Sequence, residues 1–437
     1  RLGGDCLNYG CVPSKALLAA AHRAEDVRTA GRFGIGTVPP DVAFDRVIDH
    51  VQASIDAIAP HDSVERFTGL GVKVIQARAR FTGPRTLDAG AIPVRSRRFV
   101  IAAGSHPAIP AIPGLDRTVY FTNETIFENR ILPRHLVIVG GGPIGVEMAQ
   151  AFRRLGAAVT VVQRGPILPK DDPELVAVVR QRLTGEGVVL HEQTGVEAVE
   201  PAADGLDLIC QGAASPFRVR GSHLLIAAGR RPRIDGLGLE QAGVAHGPHG
   251  ITVDRHMRTS NRRIYAIGDV VGGLQFTHMA GHHAGIVLRN ALFRLPATVE
   301  VRAVPWVTYS DPELAQVGST EAAARENGRP IRILRFAMAD NNRAVSEADT
   351  DGLIKVITTP RGHILGAGIV GAGAGELLLP WILAIRQNLK IGALAGVIAP
   401  YPTRSEITKS VAGSFFTRAL FSRWTRALVR LVARLGG

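Results

Sequence analysis

"HLVIVGGGPIGVEMAQAFRRLGAAVTVVQRG", residues 135–165, is the stretch whose reading decides the fold. An apolar run at 135–139 leads into Gly140, Gly142 and Gly145 at GxGxxG spacing. An amphipathic segment of helical length follows, and then a second apolar run at 157–162. That order is strand, glycine turn, helix, strand: a βαβ unit. The glycine pattern alone is weak, and the competing reading is a purely structural βα turn. Between a strand and a helix it reads as a dinucleotide-binding turn. Gly140 permits the tight turn, Gly142 lets a pyrophosphate approach the backbone, and Gly145 lets helix and strand pack closely. The helix N-terminus then holds the anion. NAD-preferring sites place an acid after the second strand for the ribose 2′-hydroxyl. Here Gln163 and Arg164 occupy that place, so a 2′-phosphate is the better fit. NADPH is therefore expected, with NADH the alternative and a solvated surface charge the competing reading of Arg164.

Working outward, residues 12–30 read as an alanine- and leucine-rich helix, and 41–60 as an amphipathic helix. Val47, Ile48, Val51, Ile55 and Ile58 make its stripe. "VKVIQARARF" and "RRFVIAAG", within 72–103, read as strands, the second ending in Ala102-Ala103-Gly104. "HPAIPAIPG", 106–114, is a proline-punctuated connector and a candidate boundary. A second Ala-Ala-Gly strand end, at Gly229, closes "HLLIAAGRRP", and "RIYAIGDVVGG" is a buried strand running into Gly268-Asp269. Beyond about residue 300 the strands "IRILRFAM" and "GLIKVITT" and the helices after them suggest an α+β segment with its own core. "ILGAGIVGAGAGELLLPWILAI", 364–385, has the length of a membrane span. Glu376, Pro380 and its clustered glycines favour a strand, a glycine turn and a helix instead.

The chain has 437 residues, 46% hydrophobic and 20% charged, with 49 glycines. That suits a soluble α/β protein of several domains with many tight turns. A net charge of +13 favours anionic partners. With 5% aromatics and no helix-turn-helix, zinc-finger or RNA-binding signature, nucleic acid is not expected. Three cysteines point to a reducing compartment, hence a cytoplasmic protein. Two of them, Cys6 and Cys11, lie in "GGDCLNYGCVPSK", residues 3–15. Redox pair, metal clip and buried small hydrophobes are the three readings. A zinc site lacks a second Cys/His pair at ligand spacing. Cys210 falls in a strand and reads as buried and inert.

In their order along the chain, the CxxxxC block, the GxGxxG unit, both Ala-Ala-Gly strands, "YAIGDV" and the late "PYPTRSE" resemble the pyridine nucleotide-disulfide oxidoreductases. These FAD flavoproteins include dihydrolipoyl dehydrogenase, glutathione reductase and mercuric reductase, and the resemblance covers essentially the whole chain. It implies two Rossmann-like FAD- and NAD(P)-binding domains, the first incomplete, plus an α+β dimerisation domain in a homodimer. The expected division is FAD-binding 1–116, NAD(P)-binding 117–245, a return to the FAD domain at 246–300, dimerisation 301–413 and a basic helix 414–437. It further implies a redox-active Cys6–Cys11 disulfide, with Cys11 the thiolate nearer the flavin and Cys6 facing substrate. Lys15 would lie near the flavin, paired with Glu147. Asp269 would bond the ribityl chain, with Ala103, Gly104, Gly229 and Gly268 forming the turns around the cofactors. Electrons would pass from NADPH through FAD to the cysteines.

Two departures bear on function. The family places an FAD-binding βαβ unit before the cysteines, and this sequence opens at "RLGG", so it is expected to be a fragment. Disulfide reductases of the family also carry His-Pro-Thr followed by Glu near the C-terminus, that histidine being the acid/base that protonates a leaving thiol. Here Tyr401 replaces it, with Glu406 at the expected place. Tyrosine, with an ordinary pKa near 10, is a poor base at neutral pH. Mercuric reductase also has a tyrosine in this neighbourhood, but it delivers mercury through C-terminal cysteines that this tail lacks. A glutathione- or lipoamide-type disulfide is thus disfavoured, and a metal–thiolate, a quinone or another small-molecule oxidant stays open as acceptor, with mercuric reductase-like metal-ion reduction and dihydrolipoyl dehydrogenase-like dithiol exchange as the enzymatic alternatives. The non-enzymatic alternative is a membrane-associated redox sensor.

The tail, "SFFTRALFSRWTRALVRLVARLGG", puts Leu420, Trp424, Leu428, Leu431, Val432 and Leu435 on one side at helical spacing. Arg423, Arg426, Arg430 and Arg434 fall opposite. Peripheral contact with an anionic membrane at its inner face is one expectation. Packing of the apolar face on the dimerisation domain is the other.

Overall fold

The structure, a computed structural model, describes residues 1–212, 215–326, 328 and 330–435, with the side chain of Leu435 outside the described set. The chain forms two compact units, Arg1–Ile167 with Glu186–Glu300, and Leu168–Gly185 with Val301–Gly437.

In the first unit the decisive stretch folds as read. Strand His135–Val139 is followed by helix Pro143–Arg154 and strand Ala158–Val162. They lie in a four-stranded, wholly parallel sheet, in spatial order 223–226, 135–139, 158–162, 189–191. Both inner strands are almost fully buried, as expected where helices cover a parallel sheet. Pro143 opens the helix, where its missing N–H removes no bond. An antiparallel three-stranded sheet of 195–202, 205–211 and 216–221 buries Cys210 against Leu208 and Val219. Burial also raises the Cys210 thiol to a pKa of about 11, which keeps it protonated and unreactive.

Helix Cys11–Thr29 matches its expected span within a residue, and Phe44–Ile58 buries Phe44, Ile48 and Val51 while Ile58 turns outward. The strand expected from residue 72 begins only at Ala79, because 79–83 finds a partner in Thr86–Ala89 and 72–78 pairs with no strand. Strands Phe99–Ile101 and Ile264–Ala266 are parallel neighbours, so the residues just past their carboxyl ends, Gly104 and Gly268, lie at one end of the pair. The connector begins with a short ribbon pairing Ser105–Pro107 with Arg230–Pro232.

The second unit is built on a five-stranded antiparallel sheet, ordered 305–308, 313–318, 364–371, 353–358, 332–337. Residues 364–385 form strand Ile364–Gly371 and two short helices. No described helix is long and apolar enough to cross a membrane. Trp381 fills the centre of this core.

Helix Pro173–Gly185 lies inside the 117–245 span that the sequence reading gives to the NAD(P) domain, yet it belongs to this second unit. Polar anchors hold it there. Asp172 and Glu174 each reach the buried Lys355 ammonium at 2.9 Å, and the Asp172 N–H donates to Gln316. Gly368 leaves room for Leu175, since a β-carbon there would stand 2.4 Å from its Cδ1.

Candidate active site

Cys11 is the first residue of its helix, and Cys6 sits in the short helix Gly4–Asn8 just before it. Both are free thiols in this structure, Cys11 exposed and Cys6 half-buried. Exposure within this chain thus runs opposite to the expectation that Cys6 is the open one of the pair. The Cys11 thiol lies 3.4 Å from the hydroxyl of Thr277, which starts helix Thr277–Ala291. The Cys11 pKa is lowered to about 6, chiefly by a hydrogen bond from the Cys6 thiol, then by Thr277 and the Lys15 charge, against the effect of burial. Cys6 is pushed strongly the other way, because it keeps the proton it donates to Cys11 and is partly desolvated. The reduced pair is therefore one thiolate and one thiol at neutral pH.

Lys15, one turn along, binds Glu147 at 2.8 Å, and Glu147 is buried on the glycine-loop helix. The resemblance anticipated this pairing. Its position gives a testable consequence. In Lys15→Met, the pH midpoint for alkylation of the reduced pair moves upward, because a positive charge favouring the Cys11 thiolate is gone. A Cys6→Ala protein shows the larger rise, since it loses the leading cause. An unmoved midpoint in both variants would contradict this electrostatic account.

Asp269, past the end of strand Ile264–Ala266, accepts from the Ser105 hydroxyl at 2.6 Å. Arg230 donates to that hydroxyl at 2.8 Å and lies 3.2 Å from Asp5, the residue before Cys6. Asn123 donates to Asp5 and to the Tyr9 carbonyl. Asp269 is thereby tied through Ser105, Arg230 and Asp5 to the cysteine loop. The sequence reading missed Asp5, Ser105, Asn123, Arg230 and Thr277. Only two of them carried a signal: Asp5 adjoins Cys6, and Arg230 follows Gly229.

The glycine loop divides its labour in the way the spacing implied. Gly140 has φ +119°, and a β-carbon there would lie 2.3 Å from the Ala227 carbonyl oxygen. At Gly145 a β-carbon would lie 1.9 Å from the Gly140 carbonyl oxygen, so the helix and the loop touch backbone to backbone. At Gly142 it would meet no protein atom within 4 Å, which leaves the helix N-terminus open for an anion. Gln163 accepts from the Gly141 N–H at 2.8 Å, so its side chain braces the loop. Arg164 is exposed and lines a cleft with Gly140, Gln163, Thr194 and Gly195.

In the second unit Tyr401 is 70% exposed, and its hydroxyl accepts from Asn342 at 3.1 Å. Glu406 opens helix Glu406–Leu420 and accepts from the Thr403 N–H. No cluster of three or more His, Cys, Asp or Glu suited to a metal ion occurs among the described residues.

The pyridine nucleotide-disulphide oxidoreductase family matches residues 1–284, and its dimerisation domain matches residues 304–412. The chain belongs to this family. A mercuric reductase from Streptomyces lividans is 37% identical over 425 residues, covering 94% of this chain and 89% of that one. A dihydrolipoyl dehydrogenase from Bacillus subtilis is 34% identical over 94% of this chain and 88% of its own. Among solved structures, the Cu(II) complex of the HOCl-induced flavoprotein disulfide reductase RclA from Escherichia coli superposes with TM-score 0.85 at 27% identity, over 94% and 91% of the two chains. LpdA from Mycobacterium tuberculosis gives 0.86 at 26%, over the same shares.

This pyridine nucleotide-disulfide oxidoreductase is therefore an FAD-dependent NAD(P)H oxidoreductase, and its dimerisation domain supports the homodimer. The residues present suit FAD. Gly104, at φ +72°, has no protein atom within 4 Å of where a side chain would stand, and Gly229, at φ +117°, is equally open. Gly268, at φ +69°, turns the chain toward Asp269, whose carboxylate is already oriented by Ser105 and Arg230. Ala103 precedes Gly104 at the end of its strand.

Proposed function

We propose that this oxidoreductase uses NADPH, works through the Cys6–Cys11 pair, and delivers two electrons to a thiophilic metal ion. The observation that carries the acceptor is Tyr401, an exposed hydroxyl where the disulfide reductases resembled in sequence place a histidine. Disulfide reduction needs a group that hands a proton to the departing thiolate and regains it near neutral pH, a task that suits an imidazole and not a phenol. Reducing a metal ion held by sulfur requires thiolates and no such proton. The net reaction balances as NADPH + M(II) → NADP⁺ + H⁺ + M(0). Similarity to mercuric reductases, and to a reductase solved with Cu(II), points the same way.

FAD, when bound, takes the hydride from NADPH and passes an electron pair onward. The chain's own residues hold the two ends of that path. Gly142 and the helix N-terminus receive the nucleotide pyrophosphate, and Arg164 meets the 2′-phosphate. Asp269, Ala103, Gly104, Gly229 and Gly268 hold the flavin, with Lys15 fixed beside the thiols by Glu147. Cys11 carries the charge of the reduced pair, and Cys6 keeps the proton until it engages the acceptor. A cytoplasmic site of action, where NADPH is regenerated and thiols stay reduced, belongs to the same reading.

The FAD-loaded protein is assayed with NADPH or NADH and with Hg(II), Cu(II) or lipoamide. Metal-dependent oxidation of NADPH, with a lower KM than for NADH, is the expected result. Turnover with lipoamide and none with metal would replace the acceptor, and a lower KM for NADH would remove the role given to Arg164.

A further inference from the structure

Helix Arg423–Leu435 lies beyond residue 412, where the family's dimerisation domain stops. It is set by local bonds and not by packing. Ser422 caps it by accepting from the Thr425 N–H, and Thr425 donates to the Ala419 carbonyl. The Arg426 guanidinium donates to the Phe421 carbonyl, at the end of the preceding helix. None of its described side chains is buried. The preceding helix, by contrast, buries Ile407, Val411 and Ala412 in the second unit's core. The apolar face therefore does not pack on this chain's dimerisation domain, which was one of the two expectations. Trp424 is 87% exposed, and Leu428, Leu431 and Val432 are each more than half exposed.

From that geometry we infer that this helix docks flat on an anionic lipid surface, with Trp424, Leu428, Leu431 and Val432 entering the headgroup boundary. The inference stands apart from the redox reading and does not depend on the acceptor. At 100° per residue the four apolar side chains fall within one sector, and Arg423, Arg426, Arg430 and Arg434 lie on the far side and its flanks. A wide apolar stripe with cationic flanks is the pattern of an interfacial helix, whose arginines reach lipid phosphates while the stripe leaves water. The charge is one-sided: residues 414–437 contain five arginines and no Asp or Glu. Such a row attracts a negatively charged leaflet. The thirteen residues Arg423–Leu435 extend about 20 Å, short of the roughly 30 Å hydrocarbon core, and their one-sided apolar stripe suits a helix lying in the plane of the surface. A tryptophan at the N-terminal end of the stripe suits the headgroup level.

The test uses the full-length, FAD-loaded protein and vesicles of phosphatidylcholine alone or mixed with phosphatidylglycerol. Co-sedimentation is expected with the mixed vesicles, weakened by high salt, together with a blue shift of tryptophan emission. The other two tryptophans, Trp306 and Trp381, are partly and fully buried, so the shift reports Trp424. The triple variant Trp424→Ser/Leu428→Ser/Leu431→Ser is expected to lose about tenfold in partition. It should keep its NADPH oxidation, since these side chains support no core. Arg426→Gln/Arg430→Gln is expected to lose the preference for the anionic vesicles. Equal sedimentation of parent and triple variant overturns the inference. A light-scattering mass above the dimer that falls to the dimer in the triple variant overturns it too, because a second copy then covers the stripe.

Discussion

Cys11→Ser abolishes metal-dependent NADPH oxidation, by about 10³-fold or more, the scale seen when a reaction's nucleophile is removed. Its NADPH oxidation with a dye or quinone acceptor persists, because hydride transfer to bound FAD does not use the sulfur. The expectation follows from where the charge sits. Cys11 occupies the first position of a helix, faces Thr277, and has its pKa lowered to about 6 by the Cys6 hydrogen bond above all. A serine there keeps the hydroxyl-sized shape but neither ionises near neutral pH nor forms a disulfide. The same group sets the pH dependence. A lowered thiol pKa means the reactive form is present above the pKa and lost below it, so alkylation of the reduced protein should climb through about pH 6 and level off above it. Retention of metal-dependent turnover in Cys11→Ser would show that electrons leave the flavin by another route.

Gly145→Val is the second large effect, and it strikes the fold. A β-carbon at Gly145 would stand 1.9 Å from the Gly140 carbonyl oxygen, a backbone atom held by the parallel sheet and unable to yield like a flexible side chain. The clash is expected to cost roughly 3 kcal/mol or more, at the upper end for overpacking. It should lower the denaturation midpoint and remove NADPH binding together. Gly142→Ala separates the two roles. Its β-carbon meets no protein atom, and its φ of −75° suits any residue, so stability should hold while nucleotide affinity falls. Calorimetry and nucleotide titration on both variants check this. A Gly145→Val protein as stable as the parent would show that the helix can move off the loop.

Much of the site was legible because it is written locally. Gly140, Gly142 and Gly145 lie within one turn, and their reasons are backbone approach distances set by neighbours a few residues away. Cys6 and Cys11 are fixed by one short helix and the start of the next. Arg230 was not legible, because its meaning is a bridge: it joins Asp269 to Asp5 across some two hundred and sixty positions of chain. Thr277 presents the same difficulty, being an ordinary helix-start residue until folding sets it 3.4 Å from Cys11. Its place after the second strand assigns Gln163 to the ribose subsite. Its bond to the Gly141 N–H shows it bracing the phosphate loop as well, a role that depends on how strand and loop meet.

The amino-acid sequence by itself determined the parallel βαβ unit, the cysteine pair at a helix start and the amphipathic tail. These rest on short-range periodicity and spacing, which local backbone geometry obeys. Tertiary structure alone decided three matters: which thiol holds the proton, where helix Pro173–Gly185 belongs, and whether the tail's apolar face is covered. The first is a difference between two nearly identical thiols, set chiefly by the hydrogen bond that Cys6 donates to Cys11 and then by the Lys15 charge beside Cys11. The second turns on Lys355, a buried ammonium paired with three carboxylates, two of which, at 172 and 174, come from the start of this helix and the third from Glu321. The third depends on what packs beside the helix. Amphipathicity states that an apolar face exists, and only the folded chain shows that its own core leaves that face in water.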